Sequence, residues 1–221
     1  MTTHHPLLLG HRGVRGDKSI AENSLASFDL ALAQGCDGFE FDVRLTADRQ
    51  AVICHDATSN GSEIAESSAE QLSLPSLDEV LARYQEKAFL DIELKVAGLE
   101  LIVFDLVKAV RPARGFVVSS FLPEVLRTLG DLNAAIPTGL ICETREELMR
   151  WTELPVDYVI PHYALAREEL IAEIKHAKKK IFVWTVNAAT HAKRFSERGV
   201  DGIISDNPKV LLQSGRANRR T

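Results

Sequence analysis

Short apolar runs alternate with stretches of amphipathic helical spacing along this chain, and no other feature of the sequence constrains the fold as strongly. Continuous apolar runs are typical of strands buried on both faces, and helical stretches between them are typical of the crossovers of a parallel sheet. The apolar runs cover residues 7–10, 38–43, 88–94, 116–119, 138–142, 158–160, 181–186 and 202–205. The clearest helical stretches cover residues 24–34, 76–86, 99–110, 143–152, 167–178, 188–198 and 208–213.

The alternation amounts to eight strands and eight helices, which predicts a closed TIM (β/α)8 barrel of the α/β class. An open nucleotide-binding sheet is disfavoured because neither a GxGxxG nor a Walker A motif follows the first strand. The chain has 221 residues, a length that one barrel domain can fill. We therefore expect a single domain over residues 1–221.

One segment interrupts the alternation. Between Val43 and Cys54 there is no room for a helix, and residues 45–50 have the composition of a turn. This pattern predicts that strand two continues into a hairpin and returns over residues 51–54. Residues 57–74 are rich in serine and glutamate and follow no strong period, so we expect a short lid-like insertion above the barrel.

The charge balance and the cysteines restrict the partners and the compartment. Lysine and arginine total 26 against 31 aspartates and glutamates, a net charge of -5, and nucleic-acid binders are usually basic. The three cysteines form no CxxC pair, no basic segment opens the chain, and no apolar run approaches the ~18 residues of a membrane span. We expect a cytoplasmic protein with a small-molecule substrate, no nucleic-acid partner and no stable membrane insertion, and the sequence leaves the oligomeric state open.

Ionisable residues stand at the ends of the predicted strands, where TIM barrels carry their active sites. Glu40 and Asp42 are two residues apart on strand two, so both side chains point to one face, and Asp91, Glu93 and Lys95 share a face on strand three. Lone carboxylates in apolar strands are costly to bury unless they are paired or bind a metal. Glu40, Asp42 and Glu93 make an oxygen-rich set of the kind that Mg²⁺ or Ca²⁺ prefers.

Two histidines and two cationic residues stand beside these carboxylates. His11 and Arg12 end strand one, and His55 ends the returning hairpin. The histidines can exchange protons near neutral pH, and Arg12 and Lys95 suit a phosphate oxyanion. A divalent metal, an acid, a base and two cations together favour cleavage of a phosphodiester.

Each of these residues taken alone has a simpler structural explanation. A single buried carboxylate in a strand is more often part of a structural salt bridge, and a single histidine at a strand end more often bonds to a backbone carbonyl. Five such groups converging on one end of a barrel favour a functional site instead.

A set of short motifs also runs in order along nearly the whole chain. The motifs occupy residues 11–13, 21–24, 40–43, 46–48, 51–56, 74–81, 92–95, 120–121, 184–187 and 199–208. Any one of them is weak, but the ordered set closely resembles the glycerophosphodiester phosphodiesterase family.

The resemblance implies a TIM barrel that uses a divalent cation, Mg²⁺ or Ca²⁺, to hydrolyse glycerophosphodiesters to an alcohol and glycerol 3-phosphate. Carried over by position, the implied acid/base pair is His11 and His55. The implied metal ligands are Glu40, Asp42 and Glu93. The implied substrate-binding residues are Arg12 and Lys95 at the phosphate, Asn23 in support near the metal, and Trp184 as an apolar wall for the glycerol or the leaving group. A plain barrel-core aromatic is the alternative for Trp184.

The chain departs from the family pattern after His55-Asp56. A Thr-Leu-x-Arg-Thr-Thr sequence is usual there, whereas this chain has Ala57-Thr58-Ser59-Asn60-Gly61 and no arginine in that loop. The departure leaves the headgroup contacts open, although the metal ligands and histidines are all present. Two alternatives stand beside the leading hypothesis: a related phosphodiesterase acting on lysophospholipids or phosphoinositides, and a non-catalytic binding barrel.

Overall fold

Eight parallel strands close into a barrel in the computed structural model, which describes residues 5–132 and 135–217. The strands are β1 Leu7–His11, β2 Gly38–Leu45, β3 Ala51–Ile53, β4 Thr58–Ser59, β5 Ser62–Glu63, β6 Phe89–Leu94, β7 Phe116–Ser120, β8 Thr138–Cys142, β9 Tyr158–Pro161, β10 Lys180–Val183 and β11 Gly202–Ser205. The barrel order is β1-β11-β10-β9-β8-β7-β6-β2, and the pairing of β1 with β2 closes the ring. The predicted TIM barrel is confirmed.

Helices surround this barrel and carry the chain from one strand to the next. They are α1 Leu25–Gln34, α2 Ala69–Leu72, α3 Leu77–Tyr84, α4 Glu100–Ala109, α5 Pro123–Leu132, α6 Arg145–Met149, α7 Glu168–His176, α8 Ala189–Glu197 and α9 Pro208–Ala217. Hydroxyl side chains begin several of them: Ser24 accepts from the Ser27 N–H and Ser76 from the Glu79 N–H, which satisfies backbone donors that have no partner within the helix. Within the described part of the chain, none of these helices has the length and apolar character needed to span a bilayer.

Apolar side chains fill both the inside of the barrel and the layer between barrel and helices. Inside, Leu9, Val117 and Phe182 are fully or almost fully buried and close the barrel below its mouth. Outside, Phe28 of α1 stacks on Phe39 of β2 with ring centroids 4.2 Å apart. Because the strands are covered on both faces, they read as continuous apolar runs in the sequence.

The interruption after strand two forms the predicted hairpin. β3 runs antiparallel to β2, with Val43 opposite Ile53. The insertion over residues 57–74 holds the two-stranded β4–β5 ribbon and α2. Its Ile64 and Leu72 are buried against Val52 of β3, so the insertion is packed onto the hairpin by its own small apolar cluster.

Three aspartates hold neighbouring strands together at the end of the barrel where the strands begin. Asp37, Asp157 and Asp201 each stand directly before a strand, and each carboxylate accepts a hydrogen bond from the backbone N–H of an adjacent strand. The donors are Leu8 at 2.9 Å, Thr138 at 3.0 Å and Ile181 at 2.9 Å, respectively. These contacts align the starts of β1, β8 and β10 with those of β2, β9 and β11.

Gly38 permits β2 and β6 to approach closely, and its replacement should separate them. A Cβ at Gly38 would lie 1.8 Å from the backbone oxygen of Phe89, and backbone cannot give way as a flexible side chain does. We expect Gly38→Ala to lower the free energy of unfolding by about 3 kcal/mol, measured by denaturant unfolding. Gly61→Ala is the comparison: nothing lies within 4 Å of its added Cβ, and its φ of 81° alone should cost an alanine about 1 kcal/mol. Destabilisation by Gly38→Ala no larger than that by Gly61→Ala would contradict the prediction.

Candidate active site

A cavity of about 510 Å³ opens at the carboxyl ends of the barrel strands. The structure brings the predicted histidines, cations and tryptophan together there, with two of the three predicted metal ligands in its walls. One half of the wall comes from β1, β2, β6 and the hairpin and consists of His11, Arg12, Glu40, His55, Asp91, Glu93 and Lys95. The other half comes from β7 to β11 and consists of Phe121, Ile141, Glu143, Glu147, Ile160, Trp184 and Ile204. Among the described residues, the insertion over 57–74 contributes nothing to the wall.

Glu40, Asp42 and Glu93 form a compact cluster of carboxylates. One oxygen of each lies within 4.8 Å of the others, and the three residues are only 3%, 1% and 7% exposed. Glu40 and Asp42 share a face of β2, and Asp42 lies opposite Glu93 in the parallel pairing of β2 with β6. The strand period and this register place the cluster without help from any loop.

Two cations lie against the cluster and are too few to neutralise it. Arg12 Nε lies 3.1 Å from Asp42 Oδ2, and Lys95 Nζ lies 3.3 Å from Asp42 Oδ1 and 2.6 Å from Glu93 Oε1. Burial opposes ionisation of Asp42, but Lys95 and Arg12 outweigh it and lower its pKa. Burial and the Asp42 charge raise the pKa of Glu40 well above its usual range and that of Glu93 to about 7.

The cluster has the donor set and the unsatisfied oxygens that a hard divalent cation requires. Within the described chain, Glu40 Oε1 and Asp42 Oδ1 are buried and accept no hydrogen bond, although the ion pair with Lys95 reaches Asp42 Oδ1 at 3.3 Å. Buried carboxylate oxygens left in this way are costly. All of the donors are oxygens, so the residues fit Mg²⁺ or Ca²⁺ and do not resemble a zinc site.

The loop after β1 supports the cluster with its backbone and with Asn23. Arg12 and Asn23 adopt positive φ angles of 50° and 54°, a left-handed conformation uncommon outside glycine. The Arg12 N–H donates to Glu40 Oε2 at 3.0 Å, and Asn23 Nδ2 donates to Asp42 Oδ2 at 2.8 Å. Gly13 follows with φ 82°, where a Cβ would lie 2.3 Å from Ser27 Oγ. The strained loop therefore orients two of the three carboxylates.

His11 is held between two carboxylates. Its Nδ1 lies 2.7 Å from Asp206 Oδ1, and its Nε2 lies 3.8 Å from Glu40 Oε2. Although burial opposes ionisation of Asp206, hydrogen bonds from His11 and Asn187 lower its pKa to about 2. Because Asp206 is ionised, Nδ1 carries the proton of this bond and Nε2 is the nitrogen turned toward the carboxylate cluster.

His55 has a similar but more exposed partner. Its Nδ1 forms a 2.7 Å hydrogen bond with Asp56 Oδ1, and the Asp56 side chain is 76% exposed. Burial lowers the pKa of His55. This imidazole is therefore neutral over more of the pH range around neutrality than a free one, which suits a group that accepts a proton.

Trp184 lies in the cavity wall and also packs against the barrel core. Its Nε1–H donates to the Ile160 carbonyl at 2.9 Å, and its ring meets Phe121 edge-on with centroids 5.7 Å apart. The only polar group of the indole is thus satisfied within the barrel, and what it offers to the cavity is apolar ring surface.

Sequence reasoning did not assign Asp206, Asn187, Glu143 or Glu147 to the site. Asn187 Nδ2 donates to Asp206 Oδ2 at 2.8 Å, and its own side-chain oxygen accepts from the Asp206 N–H at 2.9 Å, so the two residues fix each other beside His11. Two of these residues could have been found from the sequence, because Asp206 directly follows strand β11 and Glu143 directly follows β8. Polar residues at the carboxyl ends of all eight strands belong in a candidate list for this fold.

The chain matches the model of the glycerophosphoryl diester phosphodiesterase family over residues 11–210. The Bacillus subtilis protein YhdW is 30% identical to it, over 95% of this chain and 98% of that protein. A glycerophosphodiester phosphodiesterase of Caldanaerobacter subterraneus is 28% identical, over 93% of this chain and 96% of that one.

Solved structures share the barrel. An Oleispira antarctica phosphodiesterase, solved in complex with the product sn-glycerol-3-phosphate, aligns with a TM-score of 0.84 at 24% identity over 96% of this chain and 97% of that one. A glycerophosphodiester phosphodiesterase from Parabacteroides distasonis aligns with a TM-score of 0.85 at 23% identity over 99% and 100%.

The raised pKa of Glu93 predicts how the cation-free protein responds to pH. Burial and Asp42 raise this pKa from 4.5 to about 7, so the folded state holds the proton more tightly than the unfolded state. Its contribution to stability is therefore complete below about pH 4.5 and is lost as pH rises toward about 7. Glu93→Gln cannot ionise, so we expect its melting temperature in chelator to fall less over this window than that of the wild type.

Thermal unfolding in chelator at several pH values between about 4.5 and 8 makes this comparison. Glu86→Gln is the matched control, since Glu86 is exposed and this variant should follow the wild type. Parallel curves for the wild type and Glu93→Gln would contradict the raised pKa.

Proposed function

The chain belongs to the glycerophosphoryl diester phosphodiesterase family and is a phosphoric diester hydrolase, and on this premise we propose that it hydrolyses glycerophosphodiesters to an alcohol and glycerol 3-phosphate with a divalent cation and the acid/base pair His11 and His55. The observation that carries the proposal is the convergence of three buried carboxylates, two histidines and two cations at one cavity. Phosphodiester cleavage can use each of these groups: a cation site, an acid, a base and positive charge at the phosphate.

Glu40, Asp42 and Glu93 would hold the cation, Mg²⁺ or Ca²⁺. When bound, it supplies Lewis-acid polarisation and charge neutralisation at the phosphate. The unsatisfied oxygens of Glu40 and Asp42 support this role. Asn23 would keep Asp42 in place through its hydrogen bond of 2.8 Å.

Arg12 and Lys95 would bind the phosphate. Burial tends to lower the pKa of both, but the carboxylates around them outweigh it and raise the two pKa values, so both remain charged. They lie in the cavity wall beside the cluster, where they can stabilise the negative charge that builds up on the phosphate oxygens during cleavage.

His11 and His55 would exchange the protons of the reaction, one accepting a proton and the other donating one to the leaving alcohol. Asp206 fixes the tautomer of His11, so its Nε2 is the nitrogen that acts. Asp56 plays the corresponding part at His55. A carboxylate that accepts a hydrogen bond from one ring nitrogen is a common way to orient an imidazole.

We place the catalytic domain at residues 1–221, with the insertion at about 57–74, and the enzyme in the cytoplasm. Cys36, Cys54 and Cys142 are all free thiols, as is usual in proteins of a reducing compartment. The substrate is a small glycerophosphodiester, with Trp184 providing apolar surface for part of it. Lysophospholipid cleavage is the competing activity that a substrate panel must include.

Removal of the cation should abolish turnover and weaken the fold. Excess chelator should eliminate activity, and added Mg²⁺ or Ca²⁺ should restore it. At a free cation concentration a hundredfold above Kd, binding stabilises the folded state by about 2.7 kcal/mol, so the melting temperature should rise with the restored activity. Full turnover in excess chelator would overturn the metal assignment, and the cation that restores both signals at lower concentration identifies the preferred one.

Loss of either histidine should impair catalysis and leave the barrel folded. We expect His11→Ala and His55→Ala each to lower kcat by roughly 10²- to 10⁴-fold, measured with glycerophosphocholine and glycerophosphoglycerol under saturating cation. His176→Ala, at the exposed end of α7, is the control and should behave as wild type. A His11 or His55 variant with nearly normal kcat would remove that residue from the mechanism.

A further inference from the structure

The half of the cavity that faces the catalytic groups differs from them in chemistry. Its surface is apolar where Phe121, Ile141, Ile160 and Trp184 contribute, and its polar part consists of the side chains of Glu143 and Glu147. Among the described residues that β7 to β11 and their loops contribute to this wall, none is a lysine or arginine. A phosphodiester whose phosphate lies at Arg12 and Lys95 can extend one of its two ends into this half.

Glu147 is fixed as an anion by the start of α6. Its Oε2 accepts hydrogen bonds from the backbone N–H groups of Glu143 at 2.8 Å and Thr144 at 3.0 Å, while Thr144 Oγ1 accepts from the Glu147 N–H. This reciprocal cap sets the position of the carboxylate of Glu147, a residue that lines the cavity. Burial opposes its ionisation, but these hydrogen bonds outweigh burial and lower the pKa of Glu147.

The aromatic residues of this half are also fixed. Trp184 is anchored by its hydrogen bond to the Ile160 carbonyl and by edge contacts with Phe121 and His162, whose centroids lie 5.7 Å and 5.6 Å from its own. Lys95 Nζ lies 5.7 Å from the Phe121 ring centroid. Phe121 therefore lies beside both the phosphate-binding cation and the apolar half of the cavity.

We propose that this half is the binding site for the alcohol part of the substrate and that it selects a cationic amino alcohol, of the choline or ethanolamine class, through Glu143, Glu147 and the aromatic surfaces of Trp184 and Phe121. The inference rests on the proposed function and specifies its substrate class. Aromatic faces attract ammonium groups, and the carboxylates add a long-range attraction for positive charge.

The same chemistry disfavours the other alcohol groups. A glycerol headgroup could donate hydroxyl hydrogen bonds to Glu143 and Glu147, but it carries no positive charge for the carboxylates to attract and no ammonium group for the aromatic faces. An alkyl chain would suit the apolar surface but would have to displace water from two carboxylates, which is costly. The absence of an arginine from the 57–61 loop is consistent with headgroup contacts made on this opposite wall.

The test compares two substrates that share the glycerol phosphate half. Glycerophosphocholine has a cationic alcohol and glycerophosphoglycerol a neutral one, and kcat/KM is measured for both with the cation-loaded enzyme. The double variant Glu143→Gln, Glu147→Gln keeps a residue at position 147 that can cap α6. We expect the wild type to prefer the choline ester and the double variant to lose roughly tenfold of that preference, which corresponds to about 1.4 kcal/mol.

The double variant Glu146→Gln, Glu153→Gln is the matched control, because it also removes two carboxylates from this part of the chain and neither residue is in the cavity wall; its substrate preference should equal that of wild type. A second measurement uses tetramethylammonium ion as a probe, which should inhibit glycerophosphoglycerol hydrolysis by the wild type at lower concentration than by the double variant. High salt should reduce both effects.

The outcomes separate the two proposals. If the wild type cleaves neither diester, the proposed function fails. If it cleaves both, and the double variant shows unchanged preference and unchanged inhibition by tetramethylammonium, the headgroup assignment alone is overturned. A wild-type preference for lysophosphatidylcholine over both water-soluble diesters would also overturn it, in favour of an acyl chain in the apolar half.

Discussion

Three carboxylates within 4.8 Å of one another are held in the mouth of this barrel, and Arg12 and Lys95 supply only two opposing charges. Repulsion among these buried groups must be balanced for the barrel to exist in the form described. Much of the surrounding structure does so: the Arg12 N–H binds Glu40, Asn23 binds Asp42, and Lys95 spans Asp42 and Glu93. When all three carboxylates are ionised, the remaining negative charge would favour a bound cation, so the stability of the fold and the proposed function would depend on the same interaction.

The barrel and the carboxylate cluster could be predicted because both follow from local periodicity. The buried strands are continuous apolar runs, and the alternation of side chains along β2 puts Glu40 and Asp42 on one face. The hairpin after β2 was predictable for the same kind of reason, since the spacing left no room for a helix. These features depend on residues near one another in the chain or on a parallel register.

Other parts of the site depend on contacts that no local pattern records. The left-handed conformations of Arg12 and Asn23 arise because their backbone and side chains must reach the cluster. The position of the Glu147 side chain depends on its role in the cap of α6. In the sequence, Glu147 is indistinguishable from any acidic residue in the first turn of a helix. The insertion over 57–74 reads as a loop without a period, yet Ile64 and Leu72 pack it onto β3. Tertiary contacts determine these backbone conformations, side-chain positions and packing, and the local sequence is compatible with them but does not predict them.

The hydrogen bond between His11 and Asp206 joins the first and last strands of the barrel, since His11 ends β1 and Asp206 follows β11. The two are 195 positions apart in the chain, whereas the aspartate contacts at the opposite end of the barrel link residues 19 to 29 positions apart. On loop-closure entropy alone, a contact over 195 residues costs about 2 kcal/mol more to form than one over 20. Adjacent strand–helix–strand units can therefore align early, whereas the pairing of the first strand with the last has the larger entropic cost. His11 gains its orientation from Asp206 only when the first and last strands have paired. A chain that has folded most of its barrel therefore still lacks the oriented imidazole on which the proposed catalysis depends.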